Sequence, residues 1–253
     1  MTVDFRIIQV TDMHTGRDTD FPLGVHLRNN IQNILEDVER INPNLIVFTG
    51  DFCLKEPDLN IYNWIKPQIE NLGIPFEIIS GNHDNTAMMT TALLGEDLTN
   101  EKGEYYFSDK IQERQILYLD SSSGKISPDQ FQWIKGEVEK ANGSELTVFI
   151  HHPPIEAGVP HMDKRYQLEE YRSLLGIFYE YENTVNIFCG HYHVDRTIIS
   201  KNINIFITPS LYMQIHPFFE EFQVDHYKIG YRIIDFTSQG MITSVRYLPG
   251  SRF

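Results

Sequence analysis

The sequence has few cysteines, few basic residues and no long apolar run, and each shortage argues against a class of protein. Only two cysteines occur in 253 residues, too few for the disulfide framework of a small secreted domain. Lysine and arginine number 21 against 35 aspartates and glutamates, which leaves a net charge of -14. A nucleic-acid polymer is therefore not an expected partner, because its binding depends on clustered basic side chains.

No apolar stretch approaches the roughly 20 residues that a membrane span needs, so no membrane contact is expected. The opening residues 1–6 lack the basic head and apolar core of a secretory leader. Together with the low cysteine count, these features predict a cytoplasmic protein. A chain of 253 residues can bury a substantial core, and 41% hydrophobic residues is ordinary for one α/β domain.

What the sequence does contain is a repeated pairing of a short apolar run with a short polar cluster. The runs, at 7–10, 45–48, 76–79, 146–150 and 185–188, are rich in β-branched or aromatic residues, as buried strands of a parallel sheet are. The clusters that follow them are Asp12-Met13-His14, Gly50-Asp51, Gly81-Asn82-His83-Asp84, His151-His152 and Gly190-His191-Tyr192-His193. Because the carboxyl ends of parallel strands meet at one edge of a sheet, this arrangement predicts a metal site there.

Helical and extended patterns alternate along the rest of the chain. Apolar residues at three- and four-residue steps predict a helix over 27–41. Further helices are predicted over 58–71, 127–141 and 164–181, the third of them opened by Ser127 as N-cap and Pro128 at the first helical position. Short alternating segments over 105–120 and 194–248 indicate antiparallel strands, which predicts a second sheet.

No break in composition, repeat or low-complexity linker divides the sequence, so residues 1–253 are expected to form one domain, with 209–253 as its strand-rich C-terminal extension. The predicted fold is an α/β four-layer sandwich of two facing mixed sheets flanked by helices. Two stretches, 86–102 and 153–163, directly follow polar clusters. They either shape access to the site as lids or serve as plain connectors.

The candidate ligands are carboxylates, one amide and imidazoles. They are Asp12, His14, Asp51, Asn82, His151, His191 and His193. Seven side chains are too many for one tetrahedral zinc and suit two ions that share a bridging carboxylate, for which Asp51 is the natural candidate. Mixed imidazole and carboxylate ligands favour two divalent or trivalent transition-metal ions, namely manganese, iron, zinc or cobalt, over calcium.

Each cysteine stands two positions from a proposed ligand, Cys53 after Asp51 and Cys189 before His191. We expect both cysteines to be small buried residues. Ligation by a thiolate is the alternative, although the oxygen and nitrogen ligands already suffice.

The ordered set Asp-x-His, Gly-Asp, Gly-Asn-His-Asp, His-x-Pro and Gly-His-x-His resembles the calcineurin-like metallophosphoesterase superfamily over roughly residues 6 to 208. The resemblance implies two metal groups that share one carboxylate. The first consists of Asp12, His14, Asp51 and His193, and the second of Asp51, Asn82, His151 and His191. His152 is then a neighbour of the site, since the family ligand precedes x-Pro.

The residues around these motifs point to one subclass. The segment Gly50-Asp51-Phe52-Cys53-Leu54-Lys55 lacks the Asp-Arg-Gly continuation of Ser/Thr protein phosphatases, and Asp84 stands where those enzymes carry Glu. The segments Thr208-Pro209-Ser210, with Gln214, and Gly230-Tyr231-Arg232 resemble class III cyclic-nucleotide phosphodiesterases. This resemblance implies a small phosphodiester substrate, above all a 3',5'-cyclic nucleotide such as cyclic AMP, and suggests a homodimer.

The expected chemistry follows from charge. In the expected mechanism, a hydroxide held between the two ions would attack phosphorus in line, while the ions would stabilise charge on the phosphoryl oxygens. Asn82 and His83 are expected to bind the substrate's phosphate. His83 either hydrogen-bonds a phosphate oxygen or protonates the leaving alkoxide, and Asp84 is either the residue that orients its ring or a turn carboxylate.

Other functions fit parts of the sequence. A glycerophosphodiesterase or another broad-specificity phosphodiesterase would use the same ligands. A nuclease of the superfamily should show a basic groove, which the net charge opposes, and a protein-binding scaffold of this fold should have lost ligands, whereas all seven are present. Arg17 is either a phosphate contact or a solvated loop residue, Gln214 and His216 are further candidates for the pocket, and His161 is expected to be structural.

Overall fold

Two mixed β-sheets face each other in the computed structural model of the protein, which describes residues 2–141 and 143–253. The strands are β1 (Phe5–Val10), β2 (Leu45–Thr49), β3 (Phe76–Ile79), β4 (Phe107–Ile111), β5 (Arg114–Leu119), β6 (Leu146–Ile150), β7 (Val185–Cys189), β8 (Arg196–Ser200), β9 (Ile203–Ile207), β10 (Gln214–Ile215), β11 (Val224–His226), β12 (Ile229–Thr237) and β13 (Gly240–Leu248). The first sheet has the order β13-β12-β1-β2-β3, and the second has the order β4-β5-β6-β7-β9-β8. β10 and β11 form a separate ribbon.

The centre of each sheet is parallel and its margins are antiparallel. β1, β2 and β3 run parallel in the first sheet, and β5, β6, β7 and β9 do so in the second. Every residue of β2, β6 and β7 is buried, which is why these strands are continuous apolar runs in the sequence. The strands predicted from the apolar runs are confirmed as β1, β2, β3, β6 and β7.

Helices cover the outer face of each sheet. They are α1 (Leu27–Ile41), α2 (Leu59–Glu70), α3 (Thr86–Leu94), α4 (Pro128–Lys140), α5 (Pro160–Arg165) and α6 (Tyr171–Tyr179). α1 to α3 pack on the first sheet, and α4 to α6 pack on the second. The predicted N-cap of α4 is confirmed, because the Ser127 side chain accepts a hydrogen bond from the backbone N–H of Gln130. No helix of the described chain combines the length and hydropathy of a membrane span.

One predicted helix is wrong in its bounds. The single helix expected over 164–181 is divided into α5 and α6 by an irregular segment in which Leu168 is buried in the core and Glu170 has a φ of 56°. No proline or glycine marks this break. The break depends on tertiary burial of Leu168, which a periodicity does not report.

The two unassigned stretches differ in structure. Thr86–Leu94 is α3, which is capped by the Asn85 side chain and ends at Gly95 with a φ of 93°. Its buried Met89 and Leu93 pack in the core of the first sheet. This part of 86–102 is therefore a supporting helix, whereas the stretch 153–163 leads into α5, whose first residues line the candidate site described below.

An aromatic row fills the space between the two sheets. It consists of Phe107, Tyr118, Phe149, Phe188 and Phe206, whose ring centroids lie 4.3, 5.6, 5.5 and 5.0 Å apart in that order. Ile7, Val47 and Phe236 of the first sheet pack into the same cluster. Burial of such a side chain is worth about 1.5–3 kcal/mol, so this row is a main contribution to holding the sheets together. The predicted four-layer α/β sandwich is confirmed.

The C-terminal strands complete the first sheet. β12 pairs antiparallel with β1, and β13 pairs with β12 along its whole length. The buried Arg232 of β12 donates to Thr208, which in turn donates to Gln9 of β1. This chain of hydrogen bonds connects β12 to β1 and to the end of β9, directly behind the polar clusters.

Candidate metal centre

The candidate ligands lie at the carboxyl ends of parallel strands from both sheets. Asp12 and His14 follow β1, and Asp51 follows β2. From the second sheet, His151 follows β6, and the His191–His193 segment follows β7. Six of the candidates are buried, namely Asp12, His14, Asp51, His151, His191 and His193, while Asn82 is exposed and lines the cavity. The structure thus brings the candidates together at the junction of the two sheets.

Most of these residues have a strained backbone. Asp12, His14, Asp51, His191 and His193 all have positive φ, between 44° and 65°. They are five of the ten non-glycine residues with positive φ in the described chain. Because each such conformation costs about 1–3 kcal/mol and persists only where the surroundings enforce it, its concentration here indicates a functional site.

Two glycines permit the close approach of these loops. A Cβ at Gly81 would collide with the carboxylate and the backbone of Asp51, and a Cβ at Gly190 would collide with Thr11 and with the Asp12 carboxylate. The absence of a side chain therefore lets the third and fifth clusters pass directly against the first and second.

The side chains expected to bind the first metal ion lie close to one another. His14 Nε2 lies 2.9 Å from His193 Nε2, and His193 Nε2 lies 3.3 Å from Asp12 Oδ1. His14 Nε2 lies 3.6 Å from Asp51 Oδ2. Ligand atoms bound to one ion at about 2.1 Å lie roughly 3 to 3.5 Å from one another, so these four side chains have the spacing of a shared ion.

The second group meets the first at Asp51. Asp51 Oδ1 lies 3.5 Å from His151 Nε2, while its Oδ2 is the oxygen that lies near His14. The two oxygens of the Asp51 carboxylate therefore lie near different groups of candidate ligands, which is the arrangement expected of a bridging ligand. His191 contacts the same group, with its ring centroid 5.1 Å from that of His151.

Several polar atoms of the candidate ligands have no hydrogen-bond partner within the described residues. Asp12 Oδ1, His14 Nδ1 and His151 Nε2 are buried and make no hydrogen bond within the described residues. A buried polar atom without a partner costs about 1–3 kcal/mol. Two of these atoms, Asp12 Oδ1 and His151 Nε2, point at the ligand groups. The residues present therefore fit a pair of metal ions.

Backbone carbonyls orient the imidazoles. His151 Nδ1 lies 2.7 Å from the Thr49 carbonyl oxygen, and His193 Nδ1 lies 3.1 Å from that of Met213. His191 is turned the other way, with Nε2 2.9 Å from the Tyr166 carbonyl oxygen. Because a carbonyl accepts the ring N–H, the opposite nitrogen keeps its lone pair for a metal. Sequence reasoning missed these contacts, since a carbonyl carries no residue signature.

The charges of the site suit cations. Burial lowers the pKa of His14 to about 4, and burial with the nearby His151 lowers the pKa of His191 to about 3. Burial opposes ionisation of Asp12, yet the attraction of His193 lowers its pKa to about 2. For His151, burial is outweighed by the negative Asp51, which raises its pKa to about 9. Metal binding would displace that proton.

His83 lies at the edge of the metal groups, with its side chain one-third exposed. Its Nδ1 lies 2.6 Å from the Lys55 carbonyl oxygen, and its Nε2 lies 3.9 Å from Asp51 Oδ2. The backbone N–H of His83 donates to Asp51 Oδ1 at 2.9 Å. Because Nδ1 faces an acceptor, Nε2 is the nitrogen available to substrate, and it can donate a proton only when the ring is an imidazolium.

Asp84 accepts hydrogen bonds from the backbone of the loops that form the site. Its carboxylate accepts hydrogen bonds from the backbone N–H groups of Phe52, Cys53 and Gly81 and from the Tyr62 hydroxyl. Burial and the nearby Asp51 raise the pKa of Asp84 to about 6. The ring of His83 is held by Lys55 instead. These contacts favour the structural alternative for Asp84 over the orienting one.

A cavity of about 330 Å³ opens over the two metal groups. Its floor includes His14, Asp51, His191 and His193, and Asn82 and His83 also line it. The remaining lining is Leu54, His161, Met162, Tyr166, Tyr212, Met213, Ile215 and Phe222. His161, which the sequence suggested to be structural, is thus part of the cavity.

Other candidates lie outside the cavity lining. Arg17 forms an exposed ion pair with Asp58 at 2.8 Å, and Gln214 hydrogen-bonds to the backbone of Ser210 and Lys228. His216 packs against Phe219, with ring centroids 4.3 Å apart. These are the contacts of structural or solvated residues.

The two cysteines are buried free thiols. Burial raises the pKa of Cys53 to about 12, and burial also raises the pKa of Cys189. Both are therefore neutral at physiological pH. The expectation of small buried residues holds better than thiolate ligation.

Three relatives share most of their length with this chain, and the sequence profile of the calcineurin-like phosphoesterase family matches residues 5–195. A probable cyclic nucleotide phosphodiesterase of Fibrobacter succinogenes is 30% identical over 96% of this chain and 93% of its own. A probable glycerophosphodiester phosphodiesterase of Arcobacter nitrofigilis is 28% identical over 78% of this chain and 75% of its own. The 3',5'-cyclic adenosine monophosphate phosphodiesterase of Escherichia coli K12 is 26% identical over 98% of this chain and 91% of its own.

The fold also has a counterpart among solved structures. A dimetal phosphatase from Danio rerio superimposes with a TM-score of 0.75 over 99% of this chain and 98% of that chain. The two sequences are 10% identical. This likeness concerns the fold alone.

Proposed function

The chain belongs to the calcineurin-like phosphoesterase family, and we therefore propose that it is a dinuclear-metal phosphodiesterase that hydrolyses small phosphodiesters, above all 3',5'-cyclic nucleotides such as cyclic AMP. The observation that carries the proposal is the position of Asp51, whose two oxygens face two separate ligand groups. Relatives named as cyclic nucleotide phosphodiesterases, similar over nearly the whole chain, support the substrate class.

The proposed ligands are Asp12, His14, Asp51 and His193 for one ion, and Asp51, Asn82, His151 and His191 for the other. When bound, two such ions lower the pKa of water to supply the nucleophile and neutralise charge that develops on the phosphoryl oxygens. Since the donor set mixes imidazole with carboxylate, we propose manganese, iron, zinc or cobalt as the metals.

The protein's own residues place the diester. Only two of the seven ligands are charged carboxylates, so the centre keeps a net positive charge with both ions present. That local charge attracts a phosphodiester anion in spite of the overall charge of -14. Asn82 and His83 line the cavity beside it, where the amide and the ring Nε2 can contact phosphate oxygens.

His83 is the proposed proton donor. The Lys55 carbonyl holds its ring, so the imidazolium directs its second N–H from Nε2 toward the cavity. Donation to the departing alkoxide oxygen as the ester bond breaks would leave His83 neutral. Asp84 takes part only by holding the loops that carry Asp51 and Gly81.

One alternative function is supported by a relative, and another is opposed by the structure of the site. A glycerophosphodiesterase is the second candidate, because the Arcobacter nitrofigilis relative has that name and would use the same ligands. A non-catalytic protein-binding scaffold is opposed by the convergence of six candidate ligands, which are Asp12, His14, Asp51, His151, His191 and His193, and by the buried polar atoms of Asp12 and His151 that have no hydrogen-bond partner within the described residues. The acidic charge also opposes a nucleic-acid polymer as partner.

The proposal extends to the setting of the enzyme. We place it in the cytoplasm, which two free buried cysteines support. The family resemblance suggests a homodimer. Residues 209–253 are proposed to belong to the same single domain over 1–253, which the pairing of β12 with β1 supports.

The ester preference tests this function. Among the described residues, the cavity lining contains no lysine or arginine, so it offers little for the second negative charge of a monoester. We expect kcat/KM for bis(4-nitrophenyl) phosphate to exceed that for 4-nitrophenyl phosphate by about tenfold or more, and cyclic AMP to be turned over. The assay uses protein loaded singly with manganese, iron or zinc. Faster turnover of the monoester with every metal would show that the subclass is wrong.

A further inference from the structure

The cavity has an apolar side that metal binding does not explain. Four of its lining residues, His161, Met162, Tyr166 and Phe222, come from α5 and from the segments that follow α5 and precede β11. We call these four residues the aromatic wall. A site that bound only inorganic phosphate or a small polar alcohol would gain nothing from such a surface.

The aromatic wall is held in place by contacts between its two segments. The His161 ring lies between its neighbours, with centroids 5.7 Å from Tyr166 and 5.6 Å from Phe222. His161 Nδ1 lies 3.1 Å from the Glu220 carbonyl oxygen, to which Arg165 also donates. An ion pair between Lys164 and Glu220 adds a third link. These contacts fix the position of the aromatic wall relative to the rest of the cavity.

One residue of the aromatic wall, Tyr166, contacts the proposed metal ligand His191. The Tyr166 carbonyl accepts from His191 Nε2, and the rings of these two residues lie 6.5 Å apart. A phosphate bound at the proposed metal centre would thus lie in the same cavity as Tyr166 and Phe222, and its ester substituents would be within reach of the aromatic wall.

The exposed rings suit a flat aromatic group. Tyr166 and Phe222 are each 49% exposed and line the cavity, so part of each side chain is available to a ligand there. Stacking of a nucleobase on an aromatic side chain is favourable and tolerant of base identity. A glycerol substituent presents hydroxyls, for which the carbon surfaces of Met162 and Phe222 have no partner. The volume of about 330 Å³ suits one nucleotide.

We propose that the aromatic wall binds the base of a nucleoside phosphodiester, with Phe222 and Tyr166 as the stacking residues, and so makes the site selective for cyclic nucleotides over glycerophosphodiesters. This inference rests on the proposed function, because it requires the phosphate to lie at the metal centre. It assigns His161 the role of a positioning residue between the two stacking rings.

The test compares Phe222→Ala with Phe218→Ala. Phe218 lies four residues away in the same segment, is 73% exposed and is outside the cavity lining. For each metal-loaded variant, kcat/KM is measured with cyclic AMP and with glycerophosphoethanolamine, and binding of adenosine 5'-monophosphate is measured by calorimetry. We expect Phe222→Ala to lower the ratio of the two kcat/KM values by about tenfold, mainly through KM, and to weaken nucleotide binding similarly.

The Phe218→Ala variant should keep the wild-type ratio and the wild-type nucleotide affinity. Equal losses on both substrates, or the same effect from Phe218→Ala, would overturn the role of the wall. If the wild-type protein hydrolysed neither diester, the proposed function would fail instead. In that case nucleotide binding by wild type and Phe222→Ala still tests the wall, with unchanged affinity in the variant counting against it.

Discussion

Replacing Asp51 by asparagine is expected to lower turnover of a phosphodiester by about 10³-fold, the upper end of what loss of one positioned electrostatic group costs, and to remove bound metal. The reason is its double contact: Oδ2 lies 3.6 Å from His14 Nε2, and Oδ1 lies 3.5 Å from His151 Nε2. An amide offers one weaker oxygen donor in place of two charged ones. The measurements are metal content per chain by elemental analysis and kcat with bis(4-nitrophenyl) phosphate.

Asp12→Asn is the matched control for this substitution. It makes the same chemical change at a carboxylate that we propose as a ligand of one ion only, beside His193. We expect Asp12→Asn to lose less metal and less activity than Asp51→Asn, with thermal unfolding showing that both variants fold. A fully loaded and active Asp51→Asn protein would refute the bridging assignment.

Substitution of His83 by alanine is expected to lower turnover of cyclic AMP by about 10²- to 10⁴-fold, the usual contribution of a general acid, with near-normal metal content. His83 lies beside the ligands, 3.9 Å from Asp51 Oδ2, but its ring is held by the Lys55 carbonyl. A ribose alkoxide is a poor leaving group and needs a proton, whereas nitrophenolate leaves without one. The loss should therefore be smaller with a nitrophenyl diester, provided that chemistry limits both rates.

The pattern of losses distinguishes the possible roles of His83. Equal losses on both substrates would mean that the residue binds phosphate and does not donate a proton. Loss of metal would place it in the coordination sphere. His83→Gln, which keeps a hydrogen-bond donor but cannot transfer a proton, should recover part of the binding and little of the rate on cyclic AMP.

Much of the fold could be predicted from the sequence, because the buried parallel strands are short continuous apolar runs, each followed by a polar cluster. β2, β6 and β7 have the bounds that their runs indicate, to within one residue. The cap of α4 could also be predicted, since Ser127 is a residue type that accepts the free N–H groups at a helix start. The clusters indicated which side chains would meet.

Other features depend on tertiary contacts that leave no local pattern. The break between α5 and α6 follows from burial of Leu168, and the packing of α3 follows from the position of its neighbour α2. The carbonyls of Thr49, Tyr166 and Met213 that orient the imidazoles belong to unremarkable residue types. His161 lines the cavity and contacts Glu220 and Phe222, which are distant from it in sequence.

Turnover of cyclic AMP measured against bound metal is the most direct test of a dinuclear phosphodiesterase. The wild-type protein is stripped with a chelator and then titrated separately with manganese, iron, zinc and cobalt, while bound metal and kcat are followed together. We expect no turnover in the stripped protein, and activity that rises with loading and saturates at about two ions per chain. Full turnover of cyclic AMP by protein that retains no bound metal would contradict the assignment.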